Sequence, residues 1–265
     1  MSLLARRKKA MHGGIIDSGA AIQTRIIVGV PCTGLVRIEW VHGRYGQTIP
    51  VNWSAQEINS YFDTLSPLRF NVEDARNIIV DHAVRQNSDW LFFIDHDVIL
   101  PNDCMVKMNK YMQDGKTPVV SGLYAAKGAP AEPLVFRGLG NSFFAKWKRG
   151  DKVWADGIPM GCCLINMKLL RVMWEASEQY ETMGQKVRRV FHTPQRAEFD
   201  LEKSTYKTMG GTEDIWWCQR VIKEKWLQKA GFADVARRQY PFLVDTSIWC
   251  GHIEPDGRLF YPDGY

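Results

Sequence analysis

The sequence contains no apolar run long enough to cross a membrane. Its most apolar stretch, residues 90–100, is far shorter than the roughly 20 residues that a transmembrane helix needs, and it includes Asp95 and Asp97. The pattern of a secretion signal is also missing, because the basic residues 6–9 are followed by Met11, His12 and two glycines instead of an apolar segment. We therefore expect a soluble, cytoplasmic protein.

No C-x-x-C pair occurs among the six cysteines, which stand at positions 32, 104, 162, 163, 218 and 250. Zinc sites and disulfide frameworks of small secreted domains depend on closer or more regular spacing. The cysteines are therefore predicted to be reduced thiols, as is typical of a cytoplasm-like compartment.

The composition is that of a globular protein with a large core, since 45% of the 265 residues are hydrophobic and 24% are charged. This length favours one elaborated α/β domain over two independent domains. Residues 1–23 show no periodicity and carry the basic run, so we expect a mobile basic N-terminal arm followed by a single domain over residues 24–265. The net charge of +5 permits a polyanionic partner without requiring one.

Strands and helices alternate through the first half of the sequence. Short apolar runs at residues 25–30, 90–94 and 118–123 predict buried strands. Residues 71–87 have helical periodicity with Asn71 as a plausible N-cap, and Pro101 introduces a second helix. This alternation predicts the α/β class, with a Rossmann-like, mostly parallel central sheet flanked by helices.

The second half is less regular. Residues 157–166 indicate a strand that leads to a helix over 169–178, and residues 242–249 indicate a final strand. A helix is predicted over residues 214–230. The polar residues 183–211 show no period, so we expect a long functional loop or lid there.

Asp95 and Asp97 directly follow the predicted strand at residues 90–94. Residues two apart in an extended segment point the same way, so both carboxylates can meet one cation, and their hard oxygens suit Mg²⁺ or Mn²⁺. Their place at the carboxyl end of a buried strand is where open α/β sheets bind ligands. Solvated loop carboxylates or a helix cap are the alternative interpretation.

Glu213 and Asp214 stand at the start of the predicted helix. Asp214 shares a helical face with Trp217, Cys218 and Val221, so it is expected to point inward, whereas Glu213 lies on a more mixed face. A helix N-terminus keeps a carboxylate ionised, as a base near neutral pH requires. The alternative is a pair of ordinary first-turn acids that stabilise the helix.

His252 follows the last predicted strand, and imidazole is a competent ligand for a transition metal. A lone histidine is more often an unliganded loop or core residue. A second ambiguous feature is the aromatic and basic segment 141–149, which could stack sugars or nucleobases or form a hairpin packed on the core.

Taken together, these motifs resemble the GT-A glycosyltransferase superfamily, and its family 2-like members most. The resemblance covers roughly residues 24–255 and rests on an ordered set of segments: 31–34, 75–77, 92–97, 157–161, 211–214 and His252. It departs from the family at His96, where a smaller residue is more usual.

The resemblance implies a nucleotide-sugar-binding half (24–125), an irregular acceptor and catalytic half (126–255) and a tail (256–265). It implies that Asp95, Asp97 and His252 bind Mn²⁺ or Mg²⁺, and that Asp214, assisted by Glu213, is the catalytic base. The implied nucleotide-sugar contacts are Pro31, Cys32, Thr33, Gly34, Arg76, Asn77, Asp95 and His96. The implied acceptor-side residues are Gly161, Trp216 and Trp217.

The function implied is transfer of a sugar from a nucleotide-diphosphate sugar, UDP- or GDP-linked, to a hydroxyl of a saccharide, a lipid or a modified DNA base. Transfer with inversion of the anomeric configuration would use Asp214 as its base. Retaining members of the superfamily share the metal site but do not need this base, so Asp214 leaves the stereochemistry open. A sugar nucleotidyltransferase is a further alternative. Such enzymes hold the triphosphate with a Gly-rich loop followed by Arg and Lys near the first strand, and this sequence lacks that loop. A non-catalytic nucleic-acid or carbohydrate-binding module would use the basic arm and segment 141–149. The sequence leaves the oligomeric state open.

Overall fold

The structure is a computed structural model that describes residues 24–48, 60–139, 142–200 and 205–262. The arm predicted for residues 1–23 and the last three residues of the predicted tail lie outside this part of the chain. The described helices are α1 (Ile38–Tyr45), α2 (Val72–Arg85), α3 (Cys104–Asp114), α4 (Met167–Ala176), α5 (Glu213–Lys223), α6 (Trp226–Lys229) and α7 (Ala233–Ala236).

The strands fall into one large sheet and several small ones. They are β1 (Thr24–Gly29), β2 (Ser60–Leu65), β3 (Trp90–Ile94), β4 (Val98–Ile99), β5 (Val119–Leu123), β6 (Phe136–Arg137), β7 (Ser142–Phe143), β8 (Lys152–Ala155), β9 (Cys162–Asn166), β10 (Gln179–Thr182), β11 (Gln185–Arg188), β12 (Gln195–Asp200), β13 (Thr205–Gly210), β14 (Phe242–Trp249), β15 (Gly251–Ile253) and β16 (Leu259–Phe260).

Within the described residues, the central sheet has seven strands in the order β2-β1-β3-β9-β5-β14-β8. Strand β1 pairs in parallel with β2 and β3, and β14 pairs in parallel with β5. Strand β9 runs antiparallel between β3 and β5, and β8 runs antiparallel at the edge. The predicted α/β class with a mostly parallel, helix-flanked sheet is confirmed.

Side chains alternate between two apolar layers, one on each face of this sheet. In β3, Leu91 and Phe93 join the layer under α2, α4 and α5, whereas Trp90, Phe92 and Ile94 join the layer under α3. All five residues of β3 are buried, which explains why this strand reads as a continuous apolar run rather than an alternating one. The prediction of a strand buried on both faces is confirmed here.

Helix α2 begins where the sequence indicates. The Asn71 side chain accepts a hydrogen bond from the Asp74 backbone N–H (2.8 Å), which satisfies one of the free N–H groups of the first turn. Ala75, Ile79 and Ala83 are buried along one face, as the helical periodicity predicts.

The prediction of a long loop or lid over residues 183–211 is wrong. Strands β10 and β11 form one antiparallel hairpin, and β12 and β13 form another. The first hairpin turns through Met183 and Gly184, which both have positive φ, as a two-residue turn requires. Only Val187 is buried among the residues of β10 and β11, so the pattern carries almost no apolar alternation to reveal the strands.

The helix predicted over residues 214–230 is interrupted. Helix α5 ends at Lys223, Lys225 adopts a left-handed conformation (φ 58°), and α6 begins at Trp226. After this break, Trp226 and Leu227 are buried in the core.

Candidate active site at the carboxyl edge of the sheet

The topology gathers loops from five strands at one edge. The carboxyl ends of β1, β3, β5 and β14 meet there because these strands point the same way. The amino end of β9 lies at the same edge because β9 is antiparallel, and the Asp95 N–H donates to the Gly161 carbonyl (3.0 Å). The predicted residues 95–97, 161 and 252 therefore share one region.

A small sheet brings His252 beside Asp97. In the pairing of β15 with β4, His252 lies opposite Val98, and the Ile253 N–H donates to the Asp97 carbonyl (2.8 Å). His252 Nε2 is consequently 3.4 Å from Asp97 Oδ2. Two residues far apart in sequence, both predicted as metal ligands, are thus in contact.

The environment of Asp97 strongly favours the charged carboxylate. Lys127 Nζ lies 2.5 Å from Asp97 Oδ2, the same oxygen that faces His252. Burial by itself would raise the pKa of Asp97, but His252 and Lys127 outweigh burial and hold this pKa well below its usual range. Sequence reasoning missed Lys127, which stands in a loop without any periodic pattern.

The orientation of the His252 ring is fixed from its other side. Its Nδ1 is 2.8 Å from the Ala125 carbonyl, which can only accept, so Nδ1 carries the hydrogen and Nε2 faces Asp97. A backbone acceptor on the second ring nitrogen is the arrangement usual for metal-bound histidines. The Tyr124 ring also packs edge-on to the imidazole at 5.2 Å.

Asp95 belongs to a different cluster, built around Arg76. Arg76 Nη2 donates to both oxygens of Asp95 (3.0 Å each), and Arg76 Nε donates to Glu213 Oε1 (2.9 Å). Burial raises the pKa of Asp95, and the Arg76 charge opposes that rise. Arg76 is only 1% exposed, so it holds two carboxylates in place and presents no open surface to a nucleotide.

Asp214 lies beside this cluster at the first turn of α5. Its Oδ1 accepts hydrogen bonds from the Ile215 N–H (2.7 Å) and from the Thr212 hydroxyl. Burial, and next the negative charge of Glu213, raise the pKa of Asp214 to about 6. A carboxylate with this pKa is ionised at neutral pH and still basic enough to take a proton.

The predicted orientation of these two acids needs correction. Glu213 is the buried one (7% exposed) and Asp214 is half-buried, the reverse of the prediction. The ion pair with Arg76 draws Glu213 inward, and this partner lies 137 positions away in the sequence, where helical periodicity cannot register it.

Tyr124 and Gly161 join the two clusters. The Tyr124 hydroxyl accepts a hydrogen bond from the Gly161 N–H (2.9 Å). Burial raises the pKa of this phenol, and the charges of Asp95 and Asp214 raise it further, so both carboxylates act on the ring that packs against His252. A Cβ atom on Gly161 would lie 2.5 Å from the Tyr124 hydroxyl, which explains the glycine.

The predicted nucleotide-binding turn lies next to His96. His96 Nδ1 is 3.2 Å from the Pro31 carbonyl, and its Nε2 is 3.4 Å from Thr33 Oγ1. The Gly34 N–H donates to Cys32 Sγ (3.3 Å), and Gly34 has a φ of 111° that suits glycine. The turn 31–34 is therefore tied to the segment that carries both aspartates.

Three other predicted site residues have different surroundings. The Asn77 amide is fully buried and makes four hydrogen bonds within the protein, two of them from the N–H groups of Val190 and Phe191, so no polar atom remains for a nucleotide. Trp217 is fully buried and stacks on Phe191, in the core. Trp216 is half-buried and packs edge-on to His192.

In the predicted aromatic segment, the described residues fit the interpretation of aromatic side chains packed on the core, and stacking on sugars or nucleobases stays a prediction. Phe144 and Trp147 pack against the core, whereas Phe143 is 44% exposed. Trp147 contacts Trp249 (5.9 Å between ring centroids), and Arg149 lies over the same Trp249 ring.

The donor atoms at Asp97 and His252 fit a divalent cation. Across the described ranges, no group of three or more histidine, cysteine, aspartate or glutamate side chains could hold a metal ion. Mg²⁺ sites that work on nucleotides nevertheless take only one or two protein ligands, because the phosphates and water supply the rest. Asp97 supplies one carboxylate of this kind, and the oriented imidazole of His252 is a ligand suited to a transition metal.

In the part of the chain that the structure describes, no helix combines the length and the apolar character needed to cross a bilayer.

No protein-family model and no curated protein matches this sequence. Among solved structures, A197 from STIV is similar with a TM-score of 0.50 and 16% identity, over 90% of this chain and 94% of A197. S. aureus TarS in complex with UDP matches 56% of this chain and 48% of that chain (TM-score 0.34, 11% identity). A putative glucose-1-phosphate thymidylyltransferase from Bacillus anthracis, in complex with a sucrose, matches 58% of this chain and 76% of that chain (TM-score 0.32, 13% identity). The chain thus has the same overall fold as A197 from STIV.

Proposed function

We propose that this protein is a metal-dependent glycosyltransferase of the GT-A type, which moves a sugar from a nucleotide-diphosphate sugar to a hydroxyl acceptor. One observation carries the proposal: the Asp97–His252 pair and the Asp95–Arg76–Glu213 cluster with Asp214 meet at the carboxyl edge of a mostly parallel sheet. This edge is where such sheets bind nucleotides. The A197-like fold is compatible with the proposal.

On the donor side, Asp97 and His252 would hold Mn²⁺ or Mg²⁺. When bound, the ion would stabilise the negative charge that develops on the leaving diphosphate. The turn 31–34 and His96 would contact the nucleoside of a UDP- or GDP-sugar, and their mutual contacts keep this surface fixed relative to Asp97. Arg76 would act indirectly, by orienting Asp95 towards the donor.

On the acceptor side, Asp214 would remove the proton from the attacking hydroxyl. Its pKa of about 6 supports this role. A base on the face of the sugar opposite the leaving diphosphate favours inversion at the anomeric carbon in one in-line step. A retaining enzyme would not need such a base. The acceptor hydroxyl belongs to a saccharide, a lipid or a modified DNA base, and Gly161 and Trp216 would border it.

The proposal is tested by incubating the protein with UDP-, GDP-, ADP- and CMP-sugars, with and without Mn²⁺, and measuring release of the nucleoside diphosphate. We expect Mn²⁺-dependent hydrolysis of one donor and its loss in Asp97→Asn. Asp114→Asn, which changes an exposed acid at the end of α3, is the matched control and should retain activity. Full activity in Asp97→Asn would refute the metal assignment. Pyrophosphate release from a nucleoside triphosphate and a sugar phosphate would indicate a nucleotidyltransferase instead.

A further inference from the structure

Lys127 occupies the position next to Asp97 where a bound cation would be expected. Its ammonium group is 2.5 Å from Asp97 Oδ2, and its side chain is 23% exposed, against 27% for Asp97. The ion pair is thus partly desolvated, so it is stronger than an ordinary surface pair, and it remains open to ligands from solution.

The fold holds Lys127 and His252 through the same short segment. The Ala125 carbonyl orients the His252 ring, and the Ala126 N–H donates to the Glu132 carbonyl (2.8 Å) just before Lys127. The backbone at this place is therefore anchored. The lysine side chain is a flexible four-carbon chain, so its ammonium group can move while His252 stays in position.

Lys127 Nζ and His252 Nε2 both face Asp97 Oδ2, so a divalent cation held by Asp97 and His252 together would take this oxygen. The cation and the ammonium group carry like charges and compete for it, so Lys127 would then leave Oδ2. The anion nearest to its new position would then be the diphosphate bound at the same metal, and lysine is a common phosphate ligand.

We propose that Lys127 is an exchangeable counter-ion of the donor site: it pairs with Asp97 in the metal-free protein, and its ammonium group binds the donor diphosphate once Asp97 coordinates a divalent cation. This inference rests on the proposed function, since it takes Asp97 as a metal ligand. It makes Lys127 an inhibitor of metal binding in the absence of donor and a contributor to donor binding in its presence.

The test is Mn²⁺ binding by the full chain, followed by electron paramagnetic resonance, together with calorimetric titration of UDP at saturating Mn²⁺. In Lys127→Met we expect Mn²⁺ alone to bind about tenfold more tightly and UDP with Mn²⁺ about tenfold more weakly, which is the contribution of one charge-assisted hydrogen bond. Lys127→Arg should stay near the wild type. Lys116→Met, at an exposed lysine paired with Asp114, is the matched control and should change neither constant.

The outcomes separate this inference from the proposed function. If Asp97→Asn binds Mn²⁺ as tightly as the wild type, the metal site itself is wrong. If Asp97→Asn loses Mn²⁺ while Lys127→Met changes neither constant, or weakens Mn²⁺ binding, the role of Lys127 is refuted and the metal site stands. Thermal unfolding of each variant checks the fold, and Lys127→Gln replaces the methionine variant if that one fails to fold.

Discussion

Replacing Arg76 by methionine removes the only positive group that directly pairs with Glu213 among the described residues, and with it the partner of both Asp95 oxygens. Glu213 is 7% exposed, so water cannot take over the role of the guanidinium. Breaking a buried ion pair from one side costs about 3–5 kcal/mol. The Asp95 side chain is 23% exposed and adds less, because solvent screens it.

We therefore expect Arg76→Met to lower the free energy of unfolding by about 3–5 kcal/mol at pH 8, or Tm by about 10 °C. The loss should shrink towards pH 5. Without Arg76, the buried carboxylates of Asp95 and Glu213 favour the protonated form in the folded state. The folded variant therefore binds more protons than the unfolded chain, and its stability rises as pH falls. Urea unfolding at both pH values measures this.

Two further variants make the result specific. Arg85→Met removes an exposed arginine that pairs with Asp81 on the same helix, and it should cost only about 0.5 kcal/mol. Arg76→Met combined with Glu213→Gln removes the buried charge and should recover much of the loss. An Arg76→Met protein within about 1 kcal/mol of the wild type, or a double variant without recovery, would refute the reasoning.

Asp214→Asn should lower the transfer rate by about 10²- to 10⁴-fold with unchanged UDP affinity, and kcat/KM of the wild type should fall as pH drops below about 6; transfer at the wild-type rate would exclude Asp214 as base. Gly161→Ala should cost about 1–3 kcal/mol in urea unfolding, because its Cβ would lie 2.5 Å from the Tyr124 hydroxyl; an unchanged midpoint would show that this ring yields freely. Asn77→Ala leaves the buried Phe191 N–H without its acceptor, whereas the Val190 N–H keeps the Arg188 carbonyl (3.0 Å). The variant should cost about 1–3 kcal/mol, with faster amide exchange at Phe191, and unchanged exchange there would contradict the anchoring role of Asn77.

The five inner strands of the central sheet could be predicted because they are buried on both faces over most of their length, whereas the edge strands β2 and β8 were missed. Residues 90–94 and 242–249 read as uninterrupted apolar or β-branched runs, and they form β3 and β14. Helix α2 could be predicted from the helical periodicity of its apolar residues and from Asn71 as its N-cap. These signals are local, so the sequence displays them directly.

The hairpin of β10 and β11 could not be predicted in the same way. Strands β10 and β11 contain one buried residue, Val187, and their turn uses Met183 at a positive φ, where asparagine or glycine would be the recognisable signal. The break at Lys225 has no local sequence signal either, because lysine is a good helix former. Trp226, which follows the break, is buried by contacts that only the tertiary fold supplies.

The candidate site was predicted in its parts but not in its pairings. The sequence indicated Asp97 and His252, whereas their contact depends on the register of β4 and β15. It gave no reason to assign Arg76 to Asp95 and Glu213 together, or Lys127 to Asp97, because each ion pair joins segments that only the tertiary fold brings together.

The most direct test of the metal-dependent donor site is an anomalous difference map from crystals of the protein grown with Mn²⁺ and UDP. We expect a manganese peak within about 2.5 Å of both Asp97 and His252, with the UDP diphosphate beside it. A diphosphate bound at this edge with manganese elsewhere, or a manganese ion that contacts neither residue, would contradict it.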